Sequence, residues 1–130
     1  MIADTCVLVD LIRNDRAARQ AVTRIEAEGG VLWVPTPAAF ELWEGVERAD
    51  RPHEEQLHVQ RVLEAYTVLP FSAAHAERAG RLSGELARRG RMLEPVDVQI
   101  AGIALAEGQP VLTRNKKDFE RVPGLKIVAY

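Results

Sequence analysis

Two rhythms of apolar residues alternate along this chain. Compact apolar runs, bounded by Gly, Pro or polar residues, are separated by longer stretches in which apolar positions recur every three to four residues. The first rhythm is that of a buried strand and the second that of an amphipathic helix. Residues 1–4, 31–34, 67–71, 110–113 and 126–129 read as strands. Residues 6–13 read as a short helix broken at Asn14-Asp15. A second helix covers 16–28, with Ala18, Val22 and Ile25 on one face, and ends at Gly29-Gly30. Thr36 reads as an N-cap and Pro37 as the first helical residue of the next, with Ala39, Leu42 and Val46 inward. Pro52 breaks that helix and starts another through Tyr66, carried by Leu57, Val59, Val62 and Leu63. Ser72 caps a long helix to about Arg89. Its small residues (Ala76, Ala79, Gly80, Ser83, Leu86, Ala87) form a narrow face, and Gly80 and Gly84 are expected to admit a close neighbour. Gly90 ends it. Residues 95–107 follow, with Val96, Ile100, Ile103 and Ala104 at helical spacing up to Gly108, and a short helix covers 116–121.

Strands separated by helices predict an α/β protein: a single-domain α/β/α sandwich over 1–130, with a mostly parallel sheet of about five short strands. The length of 130 residues supports one core and not two. No apolar run approaches the ~20 residues that span a bilayer. No basic region precedes an apolar stretch at the N-terminus, so no signal peptide is expected. The lone Cys6 excludes an internal disulfide and fits a reducing cytoplasm. Beside Asp4, its thiol reads as a core group, since a neighbouring carboxylate raises its pKa. The net charge of −2 argues neither for nor against a nucleic-acid partner. Two basic clusters do stand out, Arg88-Arg89-Gly90-Arg91 and Arg114-Asn115-Lys116-Lys117.

The chemistry sits at the strand ends. Asp4 follows Met1-Ile2-Ala3 and precedes a hydroxyl at Thr5, and Thr113 closes the fourth strand ahead of Asn115 and Asp118. In a parallel sheet these ends share one edge, where open α/β sheets build their sites. Asp97 falls in the first turn of its helix, and Glu41 shares a helical face with the small Ala38 and Gly45. Each acid alone has a plain alternative: Asp97 a helix-dipole residue, Asp118 and Glu41 surface acids. Four of them at one edge point instead to an acidic site for a hard divalent cation. Other chemistries drop out. The chain has no glycine-rich phosphate loop and no nucleophile turn for a Ser-His-Asp triad. His53 and His58 are five apart, about 140° around a helix, too far round to share an ion. His75 reads as structural.

Asp4-Thr5, Pro37-x-x-x-Glu41-x-x-x-Gly45, Gly90-Arg91-x-x-x-x-x-Asp97-x-x-Ile100-Ala101 and Thr113-Arg114-Asn115-x-x-Asp118-Phe119, in this order, make the chain resemble the PIN-domain ribonucleases. Within that group it is similar to the VapC-type toxins of toxin–antitoxin pairs. The resemblance implies a metal-dependent endoribonuclease with Asp4, Glu41, Asp97 and Asp118 as its acidic pocket. Asp4 and Asp97 would be the principal Mg²⁺ or Mn²⁺ ligands, Asp118 a ligand directly or through water, and Glu41 a helper through a bound water or second ion. Thr5, Thr113 and Asn115 would orient carboxylates and water, while Arg91, Arg114, Lys116 and Lys117 are candidate phosphate contacts. It also implies an RNA substrate, a small VapB-like antitoxin as partner, and a homodimer.

The competing readings are weaker. A haloacid-type phosphatase wants a second Asp two residues after the first, where this chain has Cys6. A receiver domain wants a lysine ending a late strand, where this chain has Thr113 and Asn115. An inactive scaffold that only binds RNA or protein would retain four mutually repelling carboxylates at a cost to stability. The helices at 6–13 and 36–66 carry Leu8, Leu11, Ile12, Phe40, Trp43 and Leu57, more apolar mass than one layer over a thin sheet needs. Such an excess predicts a groove for an amphipathic partner helix.

Overall fold

The computed structural model describes residues 1–130. Five strands, β1 (Ile2–Ala3), β2 (Trp33–Pro35), β3 (Thr67–Leu69), β4 (Val111–Thr113) and β5 (Ile127–Ala129), alternate with seven helices. These are α1 (Thr5–Ile12), α2 (Arg16–Ala27), α3 (Thr36–Arg48), α4 (Pro52–Ala65), α5 (Ala73–Arg88), α6 (Pro95–Glu107) and α7 (Lys116–Phe119). The strands form one sheet in the order β3-β2-β1-β4-β5, and every pairing is parallel, so "mostly parallel" becomes wholly parallel. The strands are shorter than the apolar runs suggest. Val31, for example, is exposed ahead of β2, because only residues that reach a neighbouring strand join the ladder.

The order places the site. From β1 the chain steps outward to β2 and β3, then returns across β1 to β4 and β5 on the other side. Right-handed crossovers in opposite directions cover opposite faces of a sheet. The point of reversal lies between β1 and β4, where Ala3 pairs with Leu112. Asp4 and Thr113 each stand one residue beyond that pair, at the crevice where doubly wound sheets bind ligands.

Helix α6 is buried on most of its circumference, through Val98, Ile100, Ala101, Gly102, Ile103 and Ala104, as befits a central element. It packs against β1, β4 and α5. The close approach to α5 depends on a different glycine from the two expected. A Cβ on Gly102 would lie 2.6 Å from the Ala79 Cβ, whereas Gly80 faces open space and Gly84 meets nothing closer than its own neighbour Arg88 at 3.9 Å. Helix α5 buries His75, Ala79, Leu82 and Leu86. Of the small face read from Ala76, Ala79, Gly80, Ser83, Leu86 and Ala87, Ala79 and Leu86 are buried and the other four are turned to solvent. Small residues in sequence mark either a tight contact or an unconstrained surface, and only the partner helix decides which.

Two capping assignments also change. Thr36 is already helical and Pro35 is the N-cap; the Thr36 hydroxyl instead accepts from the Phe71 amide at 3.0 Å, tying α3 to the segment after β3. His75 does not stand alone. It completes a capping box with Ser72, and its Nε2 lies 2.6 Å from Glu107 Oε1, joining the start of α5 to the end of α6. His53 and His58 are exposed, as their spacing predicts.

Candidate active site

Asp4 is both the last residue of β1's run and the N-cap of α1. An abrupt strand-to-helix turn (φ −74°, ψ 155°) leaves its carboxylate at the sheet edge, with Oδ1 accepting from the Thr5 amide at 2.7 Å. Oδ2 accepts from the Thr113 hydroxyl at 2.7 Å and from the Cys6 thiol at 3.0 Å. The carboxylate is almost fully buried. Buried charge is costly unless hydrogen-bonded, and here three donors fix its orientation. The Thr113 Oγ1 in turn accepts from the Asn115 amide at 2.8 Å, so the turn after β4 is tied to Asp4 through one hydroxyl.

The second acid arrives on α3. Thr5 Oγ1 donates to Glu41 Oε1 at 2.5 Å, pulling the glutamate toward the turn after β1. Of the two small neighbours expected to make room for it, Ala38 is buried, but Gly45 is exposed in open space and plays no part. Asp118 comes from α7, which Phe119 anchors in the core. Asn115 Nδ2 donates to its Oδ2, and Arg121 Nη2 lies 3.4 Å from its Oδ1. Arg121, absent from the sequence reading, also donates to the Met92 carbonyl at 3.1 Å. It links α7 to the loop that precedes α6.

Asp97, in the first turn of α6, reports on the whole cluster. Its carboxyl is pushed up to about 6, first by burial and then by the negative charges of Asp4, Glu41, Asp118 and Glu94. The structure therefore brings the other three sequence-derived acids, and Glu94 besides, close enough for their charge to act on Asp97. No three acid, histidine or cysteine side chains close tightly enough to cage an ion by themselves. An open group of oxygen donors with excess negative charge matches Mg²⁺ or Mn²⁺ better than Zn²⁺, because Mg²⁺ keeps several waters and takes one or two carboxylates. The only soft ligand is unsuited: burial and Asp4 push the Cys6 thiol up, and its proton is engaged with Asp4.

The basic candidates diverge. Arg91 and Lys117 are exposed, and Lys116 pairs with Glu120, the residue just past α7, at 3.2 Å. Arg114 reaches back to Asp10 of α1, with Nη1 3.0 Å from Oδ2. Asp10 is a buried acid that the sequence gives no means of separating from a helix-surface residue. It also accepts from the Tyr130 hydroxyl at 2.8 Å.

Of the six apolar residues suspected of exceeding the needs of the core, Leu8 is fully buried and Leu11 and Ile12 are half-buried. Phe40, Trp43 and Leu57 are 61%, 39% and 54% exposed. Phe40 and Trp43 lie three apart on α3, hence on one side of it.

A PIN-domain family model matches residues 1–125. The chain is 32% identical over 123 residues, covering 95% of it and 92% of the relative, to the tRNA(fMet)-specific endonuclease VapC of Shigella flexneri. Its fold superimposes with a TM-score of 0.89 on a chain of the DNA-bound VapBC complex from Salmonella typhimurium, at 28% identity and covering 98% of this chain and 96% of that one. A toxin–antitoxin complex from Klebsiella pneumoniae gives a TM-score of 0.74 at 26% identity, covering 98% and 94% of the two chains.

Proposed function

The chain belongs to the PIN-domain family, and from that premise we propose that it is an endoribonuclease, the toxin of a toxin–antitoxin pair, hydrolysing RNA with Mg²⁺ or Mn²⁺. The observation that carries the catalytic reading is the crowding of Asp4, Glu41 and Asp118 around Asp97, whose carboxyl is held up at about 6. Mutual repulsion of this kind destabilises a fold unless something discharges it.

In this reading Asp4 and Asp97 hold the cation, with Asp118 bound to it directly or through water. The bound metal supplies ionisation of a water and neutralisation of charge on the scissile phosphate. The protein's own contribution is orientation. Thr5 and Thr113 fix Asp4, Thr5 also holds Glu41 where it can orient the attacking water, and Asn115 holds Asp118. A P–O bond to water forms as the P–O bond to the departing nucleotide breaks. Arg91, Arg114, Lys116 and Lys117 offset the repulsion that an acidic pocket exerts on RNA.

The partner reading rests on the solved complexes of relatives and on Phe40, Trp43 and Leu57, exposed on α3 and α4. Exposed apolar residues on the helix that carries Glu41, and on its neighbour α4, suit one face of an amphipathic antitoxin segment. A homodimer and a cytoplasmic location belong to the same proposal; no helix is long and apolar enough to cross a membrane.

The test is cleavage of single-stranded RNA by the purified protein with Mg²⁺ or Mn²⁺, against EDTA and against Asp97→Asn. Cleavage that survives Asp97→Asn at the wild-type rate would refute the site.

A further inference from the structure

Arginine and lysine ion pairs in this protein are local, with one exception. Those of Arg48, Arg51, Arg81, Arg89, Lys116 and Arg121 join residues three or four apart along the chain, within or at the ends of helices. Exposed pairs at that spacing hold little in place. Arg114 alone reaches a remote element, and its partner Asp10 is 3% exposed. A second donor from the residue that follows β5, the Tyr130 hydroxyl, fixes the same Asp10 oxygen. Burial and that hydrogen bond push the Tyr130 hydroxyl far up, so it remains a donor.

This arrangement holds more than a buried acid needs. The Arg114 side chain is 57% exposed although one of its nitrogens is anchored. A guanidinium carries five N–H donors in a planar fork, and Nη1 makes the contact with Asp10 at 3.0 Å. The Arg114 backbone stands beside the acid cluster. Arg114 follows Thr113, which bonds Asp4, and its own amide donates to Cys6 Sγ at 3.4 Å, while that sulfur lies 3.0 Å from Asp4. A fork anchored at one end and open at the other loses little rotamer freedom when it takes up a second anion.

We propose that Asp10 and Tyr130 are positioning residues that hold Arg114 as the fixed contact for a backbone phosphate of single-stranded RNA flanking the scissile one. The proposal rests on the ribonuclease reading and goes beyond it. It separates Arg114 from Arg91, Lys116 and Lys117, which have no buried anchor and contribute diffuse charge. Its consequence runs against simple electrostatics. Were Arg114 only a charge, removing the Asp10 carboxylate would free it and tighten RNA binding. As a positioned fork, it loses its aim and binding weakens.

The experiment is fluorescence anisotropy of a labelled single-stranded RNA oligonucleotide across a salt series, using full-length chain that carries Asp97→Asn to prevent cleavage. Thermal melts accompany every variant. Arg114→Ala is expected to weaken binding about tenfold and to flatten the logarithmic salt slope by about 0.7. Arg114→Lys, which keeps the charge without the fork, is expected to weaken it nearly as much. Asp10→Asn is expected to weaken binding in the presence of Arg114 and to change nothing in the Arg114→Ala background. Tyr130→Phe keeps the ring in place and is expected to act in the same direction, which preserves the test if Asp10→Asn fails to fold. With otherwise wild-type protein, Asp10→Asn should raise KM more than it lowers kcat. Tighter or unchanged binding in both Asp10→Asn and Tyr130→Phe, or an equal loss with and without Arg114, would overturn the proposal. So would unaltered binding by Arg114→Ala in a protein that cleaves RNA. Wild-type protein that neither binds nor cleaves RNA would overturn the ribonuclease reading and this proposal together.

Discussion

Thr113 donates its hydroxyl to Asp4 at 2.7 Å across a separation of 109 residues, and that bond joins the two central strands at their carboxyl ends. The same oxygen accepts the Asn115 amide, so a single buried hydroxyl sets both the orientation of Asp4 and the path of the chain toward Asp118.

Thr113→Val preserves shape and removes both functions. The Asp4 carboxylate and the Asn115 amide each lose a partner, and a buried group left unpaired costs about 1–3 kcal/mol. Urea denaturation is expected to show a loss in that range. RNA cleavage should fall in parallel, by more than the unfolded fraction accounts for.

The raised carboxyl of Asp97 makes metal-free stability depend on pH. Its folded value is about 6 against a reference of 3.8, so between those values the folded chain binds more protons than the unfolded one. Stability then falls as pH rises through this window, and the favourable contribution is lost above about 6. Asp97 is half-exposed, and after allowance for solvent screening the effect is about 1 kcal/mol. In EDTA, Asp97→Asn should flatten this part of the profile and melt at or above the wild-type temperature at pH 7. A variant that is less stable than wild type at pH 7 without metal would contradict the crowding of the acids.

Divalent ions should reverse that penalty. A ligand bound only by the folded chain and present at 100 times its dissociation constant stabilises by about 2.7 kcal/mol. Thermal melts with Mg²⁺ or Mn²⁺ are expected to rise for wild type and much less for Asp97→Asn. Absence of any shift in wild type would favour an inactive scaffold.

Gly102 and Gly80 should respond in opposite directions to alanine. A Cβ at Gly102 overlaps Ala79 at 2.6 Å, and forcing α5 and α6 apart is expected to cost about 1–3 kcal/mol. Gly80 is helical, exposed and unobstructed, so Gly80→Ala should gain about 0.5–1 kcal/mol through the unfolded state. Chemical denaturation of the two variants decides the matter.

Exposed Trp43 and Phe40 give the partner proposal its handle. Trp43→Asp with Phe40→Asp should leave the melting temperature close to wild type, because neither side chain is in the core. On co-expression with the adjacent antitoxin gene, the doubly substituted chain is expected to lose the antitoxin that wild type retains on affinity purification. Equal retention would place the partner elsewhere. Light scattering of the isolated chain tests the dimer separately.

The sequence by itself determined what depends on neighbours along the chain. The alternation of compact apolar runs with 3.6-residue periodicity gave five strands, seven helices and a parallel sheet, because each local choice is made by side chains within a turn or two of one another. It also named the polar groups at the carboxyl ends of the strands, since Asp4 and Thr113 follow their apolar runs directly. Strand ends lost a residue or two where the ladder, and not the apolar run, set the boundary. The tertiary structure decided everything that rests on strand order and helix docking. It put β1 beside β4, and hence Asp4 beside Thr113. It gave the tight helix contact to Gly102 and left Gly80 in solvent. It turned Asp10 inward to meet Tyr130, 120 residues away, and Arg114. A buried aspartate and a surface aspartate are identical in sequence; they differ only in what the fold brings opposite them, and that pairing is written in no local pattern.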